Sequence, residues 1–377
     1  MSTVHVVFCM DTEGPCDDPI NLEILKNWQQ VDLAMDKLFS KDFRYRYPDS
    51  YGSNFKIGWF FLTWTGFNPE TNPRKRDLGY HKIIDHYRSR WGNQIQSYGD
   101  EECWHYHHPP KSGVANEWSD DWSSSTEYKN IISKQIIERN WFPICFRAGG
   151  TIMDKHLSRW LDKWFPFDYS NRSPLKSDLM DWENGISEWR AYNPNIDFYK
   201  TEGSGKRYIA RTMDLLTGIY EAGEDDIVQA FVEAKENGSS IISIFDHDYR
   251  DIEERINHFM KTFVKTSEKF PEVKWKYSKP SDAIIETQSL SNKEDLQIET
   301  ICESNIVKIS VSSSIHQEYP WIAIKDSQGV IYQLESNLNK ISNTSWELEI
   351  PYKHNYKEIG IGVSNSSGYS KTKVISL

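Results

Sequence analysis

Basic residues are in the minority in this chain, and they form no sustained run. Its 44 Lys and Arg face 55 Asp and Glu, which gives a formal net charge of −11. A protein that binds nucleic acid through phosphates needs clustered Lys and Arg, and so does one that adsorbs to an anionic membrane surface. The charge balance therefore argues against nucleic acid and against such a membrane as the main partner.

Long hydrophobic runs are also missing. No stretch of about 18 apolar residues could span a bilayer. The residues after Met1 show neither the charged start nor the long apolar segment of a secretory signal. Cysteine is scarce and without CxxC spacing, which indicates reduced thiols rather than a disulfide framework or a zinc ribbon. These absences predict a cytoplasmic protein with no transmembrane segment. The five cysteines are Cys9, Cys16, Cys103, Cys145 and Cys302.

Aromatic residues, in contrast, are abundant: 15 Trp, 20 Tyr and 17 Phe. The simpler explanation is a large hydrophobic core. The other is that some of the rings line a cleft and stack on sugars, because aromatic faces pack well against the apolar faces of pyranoses. Composition alone leaves both explanations open.

The first 285 residues alternate short apolar strands with helical stretches. A β-branched run at residues 4–10 ends in turn chemistry at residues 11–15, and residues 56–62 form a second buried strand. Strands alternating with helices predict a parallel sheet or barrel. Further strands are predicted near 95–104, 143–147 and 241–245, and helices over 20–38, 77–91, 125–140, 152–164 and 225–236.

The pattern changes near residues 289–292. From Leu296 onward the chain has only short alternating runs separated by Ser, Asn and Gly turns, which predict a β-sandwich of the Ig or fibronectin type. We therefore predict two domains, residues 1–285 and 292–377. The sandwich could bind glycan, mediate formation of a homo-oligomer or cover an apolar patch. Its runs are 306–311, 321–324, 330–334, 346–350, 359–363 and 373–377.

Polar clusters follow four of the predicted strands, and in parallel α/β folds the sites lie where strands end. Asp11 and Glu13 follow the first strand. They could be ordinary turn residues, or one could bind a divalent metal while the other serves as a general base. A middle strand is followed by three histidines within four residues, which could supply two imidazole ligands to zinc or cobalt. These are His105, His107 and His108.

The other two clusters contain a cation and a histidine. Arg147 ends an apolar strand and must be paired there, either in a structural salt bridge or with a catalytic carboxylate. His247 follows the strand at 241–245 and lies between Asp246 and Asp248. One of these acids could orient His247 and keep it protonated as a general acid.

In their order and spacing, these patterns resemble the polysaccharide deacetylase family, the NodB-homology or family-four carbohydrate esterases. The resemblance covers about residues 4–285 and implies an irregular (β/α)-barrel and a metal-dependent hydrolase that removes an N-acyl group, typically N-acetyl, from a sugar. The matching segments are Asp11-Thr12-Glu13, residues 99–105, Phe146-Arg147-Ala148-Gly149-Gly150 with residues 167–170, and Asp246-His247-Asp248.

The resemblance also implies roles for these residues. Asp11 would be the general base, oriented by Arg147, and His247 the general acid. Glu13 and His105 would be metal ligands.

The second histidine ligand should come four residues after His105, where this chain has Pro109. His108, which precedes a proline as in the family, is the predicted ligand, with His107 as the alternate. Glu13 replaces the usual Asp, so the metal stays open: zinc first, with cobalt, nickel or iron as alternatives.

Substrate contacts follow more loosely from the resemblance. Asp168 belongs to the sequel of the third motif, and residues 181–182 and 189–194 resemble the fourth region. We therefore predict that Asp168, Trp182 and Tyr192 face the substrate. Residues 118–122 have no counterpart in the family, and they form either a cleft wall or a solvated loop.

The predicted partner is an N-acylated sugar or glycoconjugate. With a cytoplasmic location, a nucleotide-linked or lipid-linked sugar in surface-polysaccharide biosynthesis fits better than a finished cell wall. One alternative is another C–N amide hydrolase on the same barrel, such as one that opens a cyclic ureide or imide. The other is a carbohydrate-binding protein with an inactive catalytic domain. The retained base, candidate ligands, arginine and acid argue against the latter.

Overall fold

A ten-stranded sheet surrounded by helices forms the larger part of the protein. The computed structural model describes residues 2–18, 23–215, 221–290, 295–351 and 355–377. The strands of this sheet are β1 (Thr3–Thr12), β2 (Gly58–Leu62), β3 (Glu101–Tyr106), β4 (Cys145–Ala148), β5 (Phe167–Asn171), β6 (Ala191–Tyr192), β7 (Tyr208–Arg211), β8 (Met213–Asp214), β9 (Ser239–His247) and β10 (Lys274–Tyr277).

Eight α-helices accompany the sheet in the described residues. They are α1 (Trp28–Leu38), α2 (Lys41–Arg44), α3 (Lys82–Tyr98), α4 (Glu127–Arg139), α5 (Lys155–Trp164), α6 (Glu224–Asn237), α7 (Glu253–Ser267) and α8 (Pro280–Thr287). Short 3₁₀ turns occur at Pro69–Thr71, Trp122–Ser124 and Gly149–Thr151. None of the helices in the described residues combines the length and the apolar character that a bilayer crossing requires.

The sheet runs in the order β6-β7-β5-β4-β3-β2-β1-β9-β8, with β10 attached to the first half of β1. Every pairing in it is parallel except that of β6 with β7. Strand β1 is central: it pairs with β9 along nearly its whole length, and with β10 and then β2 on its other side. Such a strand is covered on both faces, which accounts for its apolar sequence at residues 4–10, interrupted only by the buried His5.

The sheet is strongly curled, as its connectivity requires. Strands β7 and β8 lie near opposite ends of the strand order, yet Thr212 alone separates them in the chain. The hydroxyl of Ser243 in β9 donates to the backbone oxygen of Arg211 and lies 3.0 Å from Thr212 Oγ1. The two ends of the sheet therefore meet, giving a mixed α/β fold with a curled parallel sheet.

The predicted alternation of strands and helices is confirmed, but several boundaries were wrong. The helix predicted over 77–91 is α3, which runs on to Tyr98 because the buried residues Tyr87, Trp91 and Ile95 share one helical face. Gly99, at φ 71°, then ends it. The strand predicted near 95–104 is consequently β3, at Glu101–Tyr106. The helix predicted over 20–38 begins at Trp28, and residues 20–22 lie outside the described residues.

The C-terminal part consists of two antiparallel four-stranded sheets. One has the order β11-β12-β16-β15 and the other β14-β13-β17-β18, and a single apolar core that includes Ile309, Ile322 and Trp346 joins them. The all-β prediction is confirmed, whereas the Ig-like topology and the exact domain boundaries stay predictions. The strands are β11 (Ile298–Glu303), β12 (Ile306–Val311), β13 (Trp321–Asp326), β14 (Ile331–Gln333), β15 (Leu338–Lys340), β16 (Ser345–Glu349), β17 (Tyr356–Ser364) and β18 (Ser370–Ser376).

The second of these sheets packs directly on helix α4. Trp321 of β13 is fully buried and donates a 3.1 Å hydrogen bond to Ser133 of α4. Gly360 and Gly362 of β17 lie so close to the helix that an added Cβ would meet the side chain of Ile136 at 2.8 Å. The C-terminal sheets are thus seated firmly on the larger part of the protein.

Candidate functional site

Polar side chains from four strands meet at the carboxyl edge of the curled sheet. The register pairs Asp11 of β1 with His247 of β9, and His105 of β3 with Arg147 of β4. Because parallel strands end at the same edge, these residues are brought to one mouth. The sequence-predicted convergence of the four clusters is therefore present in the fold.

Three side chains at this mouth direct lone-pair atoms toward one another. Glu13 Oε1 lies 3.2 Å from His107 Nε2 and 3.4 Å from His105 Nε2, and the two imidazole nitrogens are 3.1 Å apart. All three residues are buried. One atom from each lies within 4.8 Å of the others, the spacing of ligands around a single ion. We call this set the Glu-His-His cluster.

The donor set of the cluster fits a divalent cation. His105 Nδ1 lies 2.8 Å from the carbonyl oxygen of Arg147, which can only accept, so Nδ1 carries the proton and Nε2 offers its lone pair to the cluster. A backbone carbonyl in this position orients a metal-binding histidine. Burial lowers the pKa of His107 to about 4, only partly opposed by Glu13, so this imidazole is neutral near pH 7. Neutral imidazole and carboxylate are the usual ligands of zinc.

Glu13 is ionised although it is buried. Burial by itself would raise its pKa, but the Arg76 guanidinium and the hydrogen bonds with the two cluster histidines together hold the pKa well below its ordinary value. Arg76 Nη1 lies 3.0 Å from Glu13 Oε2, and both side chains are 3% exposed. One carboxylate oxygen therefore faces the cluster, while the other is neutralised by Arg76.

A second acid fixes the turn that carries Glu13. Asp248 accepts hydrogen bonds from the backbone N–H groups of Glu13, at 2.8 Å, and Gly14, at 3.0 and 3.1 Å. It also accepts one of 2.8 Å from the hydroxyl of Tyr87. Burial raises the pKa of Asp248 to about 6 in spite of these donors. Asp248 thus acts on the cluster through the backbone rather than as a ligand.

Asp11 lies beside the cluster in a strong ion pair. Its Oδ2 is hydrogen-bonded to Arg147, whose guanidinium also rests 3.7 Å from the centre of the Phe245 ring. The other oxygen, Oδ1, is buried and has no hydrogen-bond partner among the described residues. It lies 3.9 Å from His105 Nδ1. Arg147 therefore holds the carboxylate by one oxygen and leaves the other available.

His247 faces the same space from β9. Its Nε2 lies 3.8 Å from Asp11 Oδ2 and 3.7 Å from Glu13 Oε1. Arg250 donates a 3.0 Å hydrogen bond to Nδ1 and another of 2.9 Å to Asp246. Because a guanidinium can only donate, Nδ1 must accept, and a neutral ring carries its proton on Nε2, toward Asp11.

The structure brings His107, and not His108, to Glu13 and His105. The His108 ring stacks on Trp122, with ring centres 5.2 Å apart, and its Nε2 lies 3.1 Å from Ser124 Oγ. Neighbouring residues of an extended chain point in opposite directions, so only one of the two histidines can face the mouth. The absence of a side chain at Gly149 leaves room for the His107 ring, since a Cβ at Gly149 would lie 2.3 Å from that ring.

None of the three residues predicted to face the substrate joins the cluster. Asp168 is in register with Phe146, one residue before Arg147, so it faces the opposite side of the sheet and pairs with Arg207 at 3.2 Å. Trp182 is buried and donates to the carbonyl of Thr151 at 2.9 Å. Tyr192 is 1% exposed and donates to the carbonyl of Tyr199. All three make internal structural contacts.

Sequence reasoning missed several residues around the cluster. Arg76 lies in a polar loop with nothing to distinguish it from its neighbours in sequence, and Trp64 stacks on His107 with ring centres 5.2 Å apart. Arg250 gave no signal either. Asp248 was noted only as a neighbour of His247, although an acid directly after a strand end is a reasonable candidate for binding a facing turn.

No family model and no curated protein matches the chain. The structure is similar to that of a "putative polysaccharide deacetylase" from Mycobacterium smegmatis, with 14% identity, covering 77% of this chain and 91% of that one, at a TM-score of 0.39. It is also similar to the Arg-specific cysteine proteinase gingipain R, with 9% identity, 93% and 73% coverage and a TM-score of 0.18.

The first of these relatives carries the description of the family that the sequence motifs resemble.

Proposed function

We propose that this protein is a metal-dependent hydrolase that removes an N-acyl group, typically N-acetyl, from a sugar or glycoconjugate. The observation that carries the proposal is the Glu-His-His cluster, with an ion-paired carboxylate and a histidine beside it. Glu13, His105 and His107 would hold the divalent cation, most readily zinc. Such a cation supplies Lewis-acid polarisation of the amide carbonyl and lowers the pKa of water.

The chain's own groups would handle the protons. Asp11 would take a proton from the attacking water through Oδ1, which has no hydrogen-bond partner within the described part of the chain, while Arg147 holds Oδ2. His247 would give a proton to the departing amine from Nε2. To do so without leaving an anionic ring, His247 must first be doubly protonated, with Asp246 Oδ1, 3.7 Å from Nδ1, replacing Arg250 as the partner of Nδ1. Since Nε2 lies 3.8 Å from Asp11 Oδ2, the proton taken up by the base can then return to the neutral ring.

The location and pathway form a further part of the proposal. All five cysteines are free thiols in the structure, four of them buried, which supports a reducing compartment. We therefore propose a cytoplasmic enzyme that acts on a nucleotide-linked or lipid-linked sugar in surface-polysaccharide biosynthesis. Efficient activity on polymeric chitin or peptidoglycan would contradict this placement.

The direct test measures whether the purified, zinc-loaded protein releases acetate. The substrates are N-acetylglucosamine, the nucleoside-diphosphate conjugate of N-acetylglucosamine, and the β-1,4-linked dimer of N-acetylglucosamine. We expect turnover that a chelator abolishes and that zinc restores. The Asp11→Asn variant should bind metal but lose turnover by about 10²–10⁴-fold, the usual contribution of a general base. A metal-loaded protein that hydrolyses hydantoin instead would favour the cyclic-amide alternative.

A carbohydrate-binding protein without activity is the remaining candidate. It predicts sugar binding with no acetate release in the presence of any of the four metals. The Asp11 carboxylate argues against this candidate. It is buried and held by Arg147 at one oxygen, while the other oxygen has no hydrogen-bond partner among the described residues. A buried polar atom without a hydrogen bond is costly, and a protein that only binds sugar gains nothing from it.

A further inference from the structure

Two arginines at the mouth lie against the same aromatic ring. The guanidinium carbon of Arg147 is 3.7 Å from the centre of the Phe245 ring, and that of Arg172 is 5.1 Å from it. Arg172 directly follows β5, the parallel neighbour of β4, so it leaves the sheet at the same edge as Arg147. The carboxylate of Asp11 is close enough to act on the pKa of Arg172. Arg172 is therefore a neighbour of the reacting groups.

The turn that carries Arg172 is fixed by hydrogen bonds on both sides. The side chain of Asn171 accepts a 2.8 Å hydrogen bond from the N–H of Ser173 and donates one of 2.8 Å to the carbonyl of Ile186. The carbonyl of Arg172 accepts a third, also of 2.8 Å, from the N–H of Leu175. The Arg172 side chain is only 17% exposed. Its guanidinium is thus presented from a fixed backbone into a largely enclosed position.

The buried arginines that hold the fold together use all three of their nitrogens. Arg44 donates through Nε to the carbonyl of Leu38, at 2.7 Å, and through its two Nη atoms to Asp100, at 2.8 Å each. Arg207 and Arg211 also donate from Nε and from both Nη atoms. Because an unpaired donor on a buried guanidinium is costly, such complete pairing is expected.

The two arginines of the mouth are paired through a single nitrogen each. Arg172 donates from Nη2 to Asp214 of β8, and its Nε and Nη1 have no hydrogen-bond partner in the described part of the chain. Arg147 donates from Nη1 to Asp11, and its Nε and Nη2 are buried without a partner among the same residues. Burial lowers the pKa of Arg172, and the charge of Asp214 opposes this only in part. Both guanidinium groups beside Phe245 therefore have unused donors.

We propose that these unused donors form a subsite for an anionic oxygen group, a phosphate or a carboxylate, that the substrate carries beside its amide. Arg172 is the principal donor, because Arg147 also holds the base. The inference rests on the proposed function and narrows its substrate to acidic N-acylated sugars. The planar guanidinium is suited to this task, since its N–H groups match the geometry of phosphate and carboxylate oxygens.

The charge of the mouth also favours an anion. Three of its ion pairs are balanced, with Glu13 facing Arg76, Asp11 facing Arg147 and Asp214 facing Arg172. A divalent cation in the cluster would add positive charge to these neutral pairs, and an anionic substrate group would offset it. An uncharged sugar would leave both this charge and the unused donors uncompensated.

Two positions on a 2-amino sugar place an anionic group beside the acylated nitrogen. One is the anomeric carbon, which carries phosphate in sugar phosphates and in nucleotide-linked or lipid-linked sugars. The other is the third ring carbon, whose oxygen can carry a carboxylate through an ether. Both are bonded to the carbon that bears the amide, so either group suits a subsite that lies beside Asp11.

The test compares kcat/KM of the zinc-loaded protein for N-acetylglucosamine, N-acetylglucosamine 1-phosphate and the 3-O-carboxymethyl ether of N-acetylglucosamine. We expect the wild type to prefer one of the two acidic substrates over the uncharged sugar. Arg172→Gln should reduce that preference about 10–100-fold, the size of hydrogen bonds to a charged group. The preferred substrate identifies the anion as phosphate or carboxylate. No preference in the wild type, or one that Arg172→Gln retains, would overturn the inference.

Two further variants separate anion binding from a purely structural ion pair. Asp214→Asn breaks the same pair but leaves the guanidinium in place, so it should keep or increase the preference for the acidic substrate. Arg159→Gln is the matched control: it removes an exposed pair with Asp197 on helix α5 and should show the wild-type preference. Equal losses of preference in Asp214→Asn and Arg172→Gln would mean that the pair only supports the fold, and the inference would be wrong.

A binding measurement separates this inference from the proposed function. Titration calorimetry with glucose 1-phosphate and with 3-O-carboxymethylglucose, which have no acyl group, detects the subsite without any turnover. The titrations are made on the zinc-loaded and on the metal-free protein, so that contact between the anion and zinc is not mistaken for the subsite. Binding of either compound that Arg172→Gln weakens in both forms, and Asp214→Asn does not, would support the subsite even if no N-acetyl sugar is hydrolysed. Equal binding by the wild type and Arg172→Gln, or no binding of either compound, would overturn it.

Discussion

The backbone N–H of Glu13 donates a 2.8 Å hydrogen bond to Oδ1 of Asp248, a residue 235 positions later in the chain. This bond ties the end of β1 to the end of β9. The orientation of the Glu13 carboxylate in the cluster therefore depends on an acid that does not itself reach the cluster.

Replacing Asp248 by Asn should loosen this turn. The Asn side chain brings N–H donors against the donors of Glu13, Gly14 and Tyr87, so we expect zinc affinity to fall about 10–100-fold, as for other residues that orient metal ligands. Competition with a zinc indicator would measure it. Tyr87→Phe is the control, because it removes a single donor and should cost only about 0.5–1.5 kcal/mol of stability. Unchanged affinity in Asp248→Asn would show that the turn holds by itself.

Two adjacent histidines provide a matched test of the cluster. His107→Ala should lose bound zinc, since His107 Nε2 lies 3.2 Å from Glu13 Oε1. His108→Ala should keep about one equivalent, because the His108 ring faces Trp122 and Ser124. Elemental analysis of the two purified variants beside the wild type measures this directly. Zinc retained in His107→Ala and lost in His108→Ala would restore the ligand choice made from the sequence.

Removing Arg76 should destabilise the metal-free protein more than the metal-loaded one. Arg76→Met leaves Glu13 buried without its cation, and breaking such a pair costs about 3–5 kcal/mol. A bound divalent ion would compensate for part of that lost charge. Denaturant unfolding with and without zinc measures both values. The control Arg90→Met removes an exposed pair with Asp36 and should cost less than about 1 kcal/mol in either state. Equal costs with and without zinc for Arg76→Met would argue against a cation beside Glu13.

Acid should destabilise the fold through His5, far from the cluster. Burial, with help from Lys276, lowers the pKa of His5 to about 3, and its ring is hydrogen-bonded to Ser278 at 2.9 Å. The folded state thus favours the neutral ring. Its stabilising contribution is complete above the unfolded pKa of about 6.5 and is lost as the pH falls from there toward 3, by up to about 1.4 kcal/mol per pH unit.

The measurement is the unfolding free energy of the wild type and of His5→Gln between pH 7 and pH 4. Since Gln does not titrate, we expect the variant to be less stable at pH 7 and to have a flatter pH dependence. Parallel profiles would mean that other groups cause the acid sensitivity.

The packing of the C-terminal sheets against α4 can be tested at one glycine. Gly360→Ala places a Cβ 2.8 Å from Ile136 and Ile137 of α4, and such overpacking should cost about 1–3 kcal/mol. Gly92→Ala is the control: Gly92 lies inside α3 with open space around it, so this change should stabilise the protein by about 0.5–1 kcal/mol. Thermal unfolding compares the two. A neutral Gly360→Ala would mean that the interface has room to adjust.

The periodicity of the sequence predicted the alternating strands and helices and the all-β C-terminal part, because burial imposes those periods locally. It placed the start of α3 too early, at residue 77 instead of Lys82, and its end too soon, at residue 91 instead of Tyr98. It could not find β6, β7 and β8, which have two to four residues each and are too short to show a period.

Only the site residues that directly follow strands could be predicted from the sequence. Asp11, Glu13, His105, Arg147 and His247 all follow apolar runs, and the fold brings them together. The choice between His107 and His108 depends on which face of the chain Gly149 leaves open, a contact across more than forty residues. Arg76 reaches Glu13 from a loop, and no local pattern records such a partner.

The curling of the large sheet also decides where another chain could add a strand. Its terminal strands, β6 and β8, have two residues each, too few to serve as a template for edge-to-edge pairing. The longer outer strands in the described part of the chain are β11 and β18, both in the C-terminal sheets. They carry Glu299 and Glu303, and Lys371 and Lys373, respectively, and such charges oppose strand addition. In the described part of the chain, these charges are therefore the main barrier to strand addition. Neutralising them would make the outer strands of the C-terminal sheets the first place where another chain could pair.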